Sequence, residues 1–310
     1  LTTGNHPLLQ QVEAELEAFF NAEAALLVTA GYFGNSVVTQ ALAGDFDHAL
    51  MDQRAHPALS DASRFLGCPV TSFAHRNPLS LHSALKRISK HRRLILLTDG
   101  MFSHNGTVAP LADYLKILPS SARILVDDAH GAGVVGATGR GSLEACGVTR
   151  DRIIQTGTLS KAFGSGGGFV LGTRELRQKI MQRSGMFVGC TPVPLPVAGA
   201  ALQSIRILKR GGKLLKRLMA NADAVRKQIA GTPWETQSGP GPIIPVLPRD
   251  SAESEDLNRR LKSAHVYPPF IHYPGGPASG YFRFVISSEH SDRQIAGLCD
   301  VLQSFIKKWA

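Results

Sequence analysis

The sequence predicts an α/β protein: a mostly parallel sheet with helices on both faces, followed by a smaller C-terminal α+β domain. Three observations predict it. Short apolar runs alternate with helical patterns through the first two thirds of the chain, as strands and helices do in a parallel sheet covered on both sides. The polar motifs fall at the carboxyl ends of those runs, where ligands gather in such sheets. Beyond Pro192 the pattern changes to long helices and two more strands. A chain of 310 residues can bury a large core and hold two domains. We place them at 1–208 and 209–310.

The first helix is read from Leu8, Val12, Leu16 and Phe19/Phe20 at helical spacing, with Glu13, Glu15 and Glu17 between them. Ala25–Thr29 reads as a strand. It runs into Ala30-Gly31-Tyr32-Phe33-Gly34-Asn35 and a second helix. A strand, a glycine turn and a helix start together make an anion site, because free N–H groups point outward there. Further strands are expected at Ala49–Asp52, Val70–Phe73, Leu94–Thr98, Ile124–Asp127, Ile153–Gln155 and Phe169–Gly172. Pro192, Pro194 and Pro196 precede a helical region, Ala198 to Ile229, interrupted at Gly211-Gly212. An apolar run at Ile243–Leu247, a helix at Glu253–Ser263, a Pro/Gly-rich loop at Pro268–Gly280, a strand at Tyr281–Ser287 and a helix at Asp292–Lys308 complete the smaller domain.

Composition sets the outer limits. Hydrophobic residues are 43% and charged residues 19% of the chain, which is globular rather than disordered. No apolar run reaches the length of a membrane span, and the start does not resemble a signal peptide. The cysteines at 68, 146, 190 and 299 form no CxxC pair, which suits a reducing cytosol and offers no metal pattern. The net charge is +10, with basic clusters at Lys86–Arg93 and Arg206–Arg217. They read first as solvated helix faces and second as attraction for an anionic ligand such as a CoA ester. Without interleaved aromatics they do not point to nucleic acid.

Two motifs carry chemistry. In Ile153–Gly168 an apolar run leads through Thr158 and Ser160 to Lys161 and a glycine loop. An amine there can form a Schiff base, and the hydroxyls and N–H groups around it can hold a phosphate. In Leu125–Gly131, Asp127 closes a strand three residues before His130. A buried carboxylate needs a partner, and a pyridinium nitrogen would supply one. A capping aspartate and a core histidine are the structural alternative for that motif.

Together these residues resemble the fold type I pyridoxal-phosphate enzymes, and more narrowly the α-oxoamine synthases, which include 8-amino-7-oxononanoate synthase of biotin biosynthesis and glycine C-acetyltransferase. The resemblance rests on Thr29-Ala30-Gly31-Tyr32, Asp52 with Ala55-His56, Thr98–Ser103, Val126–Gly131, Gly139-Arg140-Gly141, Thr158–Lys161 and Phe282-Arg283-Phe284. It runs from Thr2 to the final helix. It implies a pyridoxal 5′-phosphate enzyme that joins an amino acid to an acyl-CoA, with loss of CO2 and CoA, as a cytoplasmic homodimer.

The roles follow by resemblance. Lys161 would carry the cofactor and move protons at the substrate α-carbon. Asp127 would pair with the ring nitrogen, and His130, helped by Ser103, with the phenolic oxygen. His56 would stack on the ring. Gly31, Tyr32 and Thr158 would hold the phosphate, with Thr191 or Cys190 reaching it from the other subunit. Arg283 would clamp a substrate carboxylate. His75, His91, His104, His265 and His272 are read as structural.

The chain also departs from the family. Members usually begin well before the residue numbered 1 here, with an Asn-Tyr-Leu-Gly-like stretch. His104-Asn105-Gly106 stands for their Met-Asp-Gly, and Gly189-Cys190-Thr191-Pro192 for a Ser/Thr-rich run. An aminotransferase or another lyase is a second reading, and a partner subunit without turnover a third. Ser103 and His56 weigh against the former, and Lys161 against the latter.

Overall fold

A computed structural model describes residues 5–89, 92–235, 239–267, 270–272, 277 and 279–309. His91, Thr2 and part of the Pro268–Gly280 loop lie outside the described residues. The described chain divides into two units. The first holds the residues up to Phe102 and those from Val108 to Gly211; the second holds Ser103–Thr107 and everything from Gly212 on.

In the first unit the elements run α1 (Pro7–Phe20), β1 (Ala24–Val28), α2 (Gly31–Ala41), β2 (His48–Asp52), α3 (Pro57–Ser63), β3 (Val70–Phe73), α4 (Pro78–Leu85) and β4 (Leu94–Asp99). They continue with α5 (Leu111–Ile117), β5 (Arg123–Asp127), α6 (Ser142–Ala145), β6 (Ile153–Thr158), β7 (Gly168–Gly172), α7 (Arg174–Arg183), α8 (Gly185–Gly189) and α9 (Leu195–Lys209). Among the described residues the strands form one seven-stranded sheet in the order β1-β7-β6-β5-β4-β2-β3.

Alternation along each strand splits the core between the two faces. Ile95, Leu97, Leu125 and Val170 face α2 and α7, packing with Val37, Val38, Leu176 and Ile180. Leu94, Leu96, Ile124 and Val126 pack with Leu81, Leu111 and Tyr114 of α4 and α5. Over β1 and β7 that same face is covered by Val12, Leu16 and Phe20 of α1 and by Ala201, Leu202 and Ile205 of α9.

The mostly parallel sheet is present, with one reversal. β7 runs antiparallel to both β1 and β6. The cause is the short return from Thr158 to Gly168, closed by Leu159 N–H donating to Gly167 O at 2.9 Å. A parallel crossover needs a dozen or more residues.

The second unit contains α10 (Lys213–Ile229), β8 (Ile243–Val246), α11 (Ser251–Ser263), β9 (Phe270–Ile271), β10 (Tyr281–Val285) and α12 (Asp292–Trp309). Its strands form an antiparallel sheet, β8-β10-β9. The sheet is packed with Val225, Trp234, Leu257, Leu302 and Phe305. The two-residue β9 has no counterpart in the sequence reading, because a pairing that short leaves no periodic pattern. Residues 103–107 join this unit through main-chain contacts: Arg283 Nε donates to Ser103 O at 2.7 Å and Tyr281 Oη to His104 O at 3.1 Å.

The end of β6 depends on one missing side chain. A Cβ on Gly157 would lie 2.3 Å from the fully buried ring of Phe169 on β7. Gly157→Ala is therefore expected to lower stability by roughly 1–3 kcal/mol through overpacking. Urea unfolding should show a lower midpoint at unchanged slope.

Candidate active site

Strand ends gather the polar groups. β2, β4 and β5 are neighbours in the sheet, and each ends in a buried aspartate: Asp52, Asp99 and Asp127. β6 ends at Thr158 and the chain turns at once through Lys161. On the other side of β6, β1 leads directly into the start of α2 at Gly31. Seven of the residues singled out from the sequence thus lie at one end of one sheet: Gly31, Tyr32, His56, Asp127, His130, Thr158 and Lys161.

Close approach makes the cradle at Gly31. A Cβ there would lie 2.6 Å from Thr158 Cβ and 2.8 Å from Thr158 Oγ1. No side chain caps the start of α2; Phe33 N–H donates to Ala30 O at 3.1 Å, and the N–H groups of Gly31 and Tyr32, with the helix dipole, suit an anion. Thr158 Oγ1 lies 2.8 Å from Ser160 Oγ, which adds a second hydroxyl.

Asp127 is held at both oxygens. Asn35 Nδ2 donates to Oδ2 at 2.6 Å, and Ala129 N–H donates to Oδ1 at 3.1 Å. Asn35 is itself set by Thr156, whose Oγ1 donates to Asn35 Oδ1 at 2.7 Å. Asn35 is fully buried on α2. The sequence reading assigned it no role; its one signal was an amide four residues past Gly31.

His56 caps α3, its Nδ1 accepting from Ala58 N–H at 3.2 Å. Burial pushes the imidazole below its ordinary range; the Asp127 carboxylate opposes that shift and the Lys161 ammonium reinforces it. His56, Asp127 and Lys161 thus stand within electrostatic reach of one another. The Tyr32 ring meets His56 edge-on with centroids 6.1 Å apart, and its hydroxyl donates to Asp61. Lys161 is exposed in the turn, where its carbonyl accepts from Gly164 N–H at 3.0 Å.

Behind Asp127 and His130 sits Asp128. Its Oδ2 accepts from Ser142 N–H at 2.8 Å and Gln155 Nε2 at 2.6 Å. Gln155 in turn accepts from Arg150 at 2.7 Å. A Cβ on Gly100, Gly131 or Gly141 would come within 2.3, 2.1 and 2.0 Å of an Asp128 oxygen. The glycines of three sequence motifs therefore make room for one carboxyl group. The carbonyl of Asp128 takes the N–H groups of Gly131 and Ala132, which shapes the turn carrying the half-buried His130.

Ser103 and Arg283 are both in the second unit, joined by the bond described above. Thr191 is exposed between α8 and α9. It lines an apolar cavity of about 270 Å³ with Phe33, Met186, Val188 and Cys190. His75 Nδ1 donates to Asp52 Oδ1 at 2.9 Å, and His104 is buried in the second unit.

These residues fit pyridoxal phosphate. The Gly31 cradle suits a phosphate, Asp127 a protonated ring nitrogen, the His56 ring a flat aromatic face and Lys161 an aldehyde.

The aminotransferase class I and II family model matches residues 2–302. The 8-amino-7-oxononanoate synthase of Thioalkalivibrio sulfidiphilus is 35% identical over 308 residues, covering 97% of this chain and 78% of that protein. Among solved structures, Sphingomonas wittichii serine palmitoyltransferase has a TM-score of 0.90 at 27% identity, covering 98% of this chain and 77% of its own. A serine palmitoyltransferase solved with pyridoxal phosphate as the internal aldimine has a TM-score of 0.89 at 25% identity, covering 98% and 78%.

Burial raises Asp128 to about 7, against an unfolded value of about 3.9. Between those values the folded state binds the extra proton, so stability falls as pH rises through the interval. Asp128→Asn keeps the acceptor and removes the charge. Its melting temperature relative to the parent is expected to be higher at pH 8 than at pH 5. An equal difference at both pH values would show that Asp128 does not titrate there.

Proposed function

The chain belongs to the aminotransferase class I and II family, and on that footing we propose that it is a pyridoxal-phosphate-dependent acyl-CoA:amino acid C-acyltransferase of the 8-amino-7-oxononanoate synthase kind. The observation that carries the reading is the grouping of Asp127, His56 and Lys161 beside the Gly31 cradle at one sheet end, in a chain 35% identical to such a synthase over 97% of its length.

Pyridoxal phosphate, when bound, supplies the electron sink that stabilises a carbanion at the amino-acid α-carbon. The chain's own residues do the rest. Gly31, Tyr32 and Thr158 would hold the phosphate. The Asp127 carboxylate, oriented by Asn35, would keep the ring nitrogen protonated. His56 would lie against the ring, and His130 would serve the phenolic oxygen. The Lys161 amine would hold the cofactor and move the α-proton. The resemblance implies that Ser103 would help at the phenolic oxygen and Arg283 would receive a substrate carboxylate.

Product chemistry narrows the substrates. An 8-amino-7-oxononanoate carries a methyl group beyond its amino carbon, so those two carbons come from alanine after loss of CO2. The other seven come from a dicarboxylic acyl thioester. Glycine or serine would give different α-amino ketones, as in glycine C-acetyltransferase.

We also propose a homodimer in the cytoplasm. Exposed Phe33, Val188 and Leu195 beside Thr191 suit a partner surface, from which Thr191 would reach the second phosphate. Four unpaired cysteines suit a reducing compartment. Among the described residues no helix is long and apolar enough to cross a membrane.

CoA release with alanine and a seven-carbon dicarboxylic acyl-CoA is expected to exceed release with glycine or serine. Equal release with all three would set the substrate assignment aside. Asp127→Asn should bind cofactor yet slow solvent exchange of the alanine α-proton by roughly 10²-fold or more, as losing an electrostatic partner of the reacting system does. Unchanged exchange would remove Asp127 from its role. Light scattering at working concentration should give twice the chain mass.

A further inference from the structure

The mechanism above leaves Asp99 without a task. It ends β4 between two strands that also end in aspartate, opposite Asp127 of β5 in the register. It is buried, and its Oδ2 accepts from the peptide N–H of His56 at 2.8 Å. That bond joins residues 43 positions apart in sequence.

The turn from β2 to α3 is tied at every peptide N–H. Gln53 donates to Phe73 O at 3.0 Å, Arg54 to Asp52 Oδ1 at 2.8 Å and Ala55 to Asp52 O at 3.0 Å. Asp52 also takes His75 Nδ1 at 2.9 Å and Arg76 N–H at 2.8 Å, so it binds this turn to the one after β3. Asp99 makes the last tie, at His56 itself. The His56 ring is fixed by a bond of its own, Nδ1 accepting from Ala58 N–H at 3.2 Å. A ring nitrogen that accepts a backbone N–H has no proton, so the proton of a neutral imidazole sits on Nε2.

We propose that Asp99 is a positioning residue for His56: its carboxyl fixes the His56 peptide at the sheet end, so that the imidazole is presented to the cofactor as the Nε2–H tautomer. The proposal rests on the reading of function given above. Burial and the neighbouring Asp127 and Asp52 carboxylates push Asp99 well above the usual carboxylate range, which disfavours charge on this carboxyl. The group acts through the shape of its carbonyl oxygen rather than through charge. An asparagine keeps that oxygen; a leucine of similar size does not.

Three variants and one spectrum test it: Asp99→Asn, Asp99→Leu and the pair Asp99→Leu with His56→Ala. Cofactor dissociation is followed by visible circular dichroism of the bound chromophore. Asp99→Asn is expected to stay within about twofold of the parent, with the same pH profile of the visible band. Asp99→Leu should weaken cofactor binding by about tenfold, the worth of one hydrogen bond, and diminish the dichroic band. In the His56→Ala background, Asp99→Leu should cost no more than about twofold further. In the ¹⁵N-histidine spectrum of the parent, His56 should show a protonated Nε2 and an unprotonated Nδ1.

Equal loss in Asp99→Asn and Asp99→Leu would overturn the proposal, as would a displaced pH profile in Asp99→Asn, since either means that charge matters. So would full additivity with His56→Ala, or a proton on Nδ1. If Asp99→Leu does not fold, Asp99→Asn and the parent's spectrum still decide. A parent that binds no pyridoxal phosphate defeats the reading of function instead, while the tautomer of His56 remains measurable without cofactor.

Discussion

The site depends on satisfying one buried carboxyl group inside the protein. Asp127 ends a central strand and is buried there, where an unpaired charge would be expelled or neutralised. Asn35 and the Ala129 N–H each take one of its oxygens, so both acceptor atoms of the buried carboxyl group are met. The arrangement needs α2 packed against β6, because Asn35 is set by Thr156. It needs β5 and β6 in register, because Thr156 stands opposite Asp127. Anchoring the carboxyl group and building the sheet are therefore one requirement.

Around that carboxyl group the chain spends glycines to make space. Gly31 lets α2 begin against Thr158. Gly100, Gly131 and Gly141 leave room for Asp128, and Gly157 leaves room for Phe169. The first opens a cradle for an anion. The others let a polar network and an aromatic ring pack close to the strand ends, so the residues beneath are buried while Lys161 and Tyr32 are exposed. Such a division suits a reaction in which the ring is held still while the substrate comes and goes.

Much of this was legible in the residues. The strands were, because runs such as Leu94–Leu97 are apolar on both faces and meet nothing but core. The motifs at Asp127 and Lys161 were, because each joins an ionisable group to a strand end. The reversed β7 was not, since strand direction is set by a loop closure that periodicity does not encode. The place of Ser103–Thr107 in the second unit was not, because main-chain carbonyls make those contacts and any residue supplies one. Asp99 stood in view within Thr-Asp-Gly, but its partner is a peptide N–H far along the chain. Asn35 looked like the end of a glycine turn, and only burial shows its amide to be committed.

The central claim is that Lys161 holds pyridoxal phosphate at the end of β6. The most direct measurement is borohydride reduction of the cofactor-loaded protein, followed by protease digestion and mass analysis of the peptides. A pyridoxyl group on Lys161 and on no other lysine is the predicted result. A reduced cofactor spread over surface lysines, or an unmodified Lys161 peptide at full cofactor occupancy, would contradict the account.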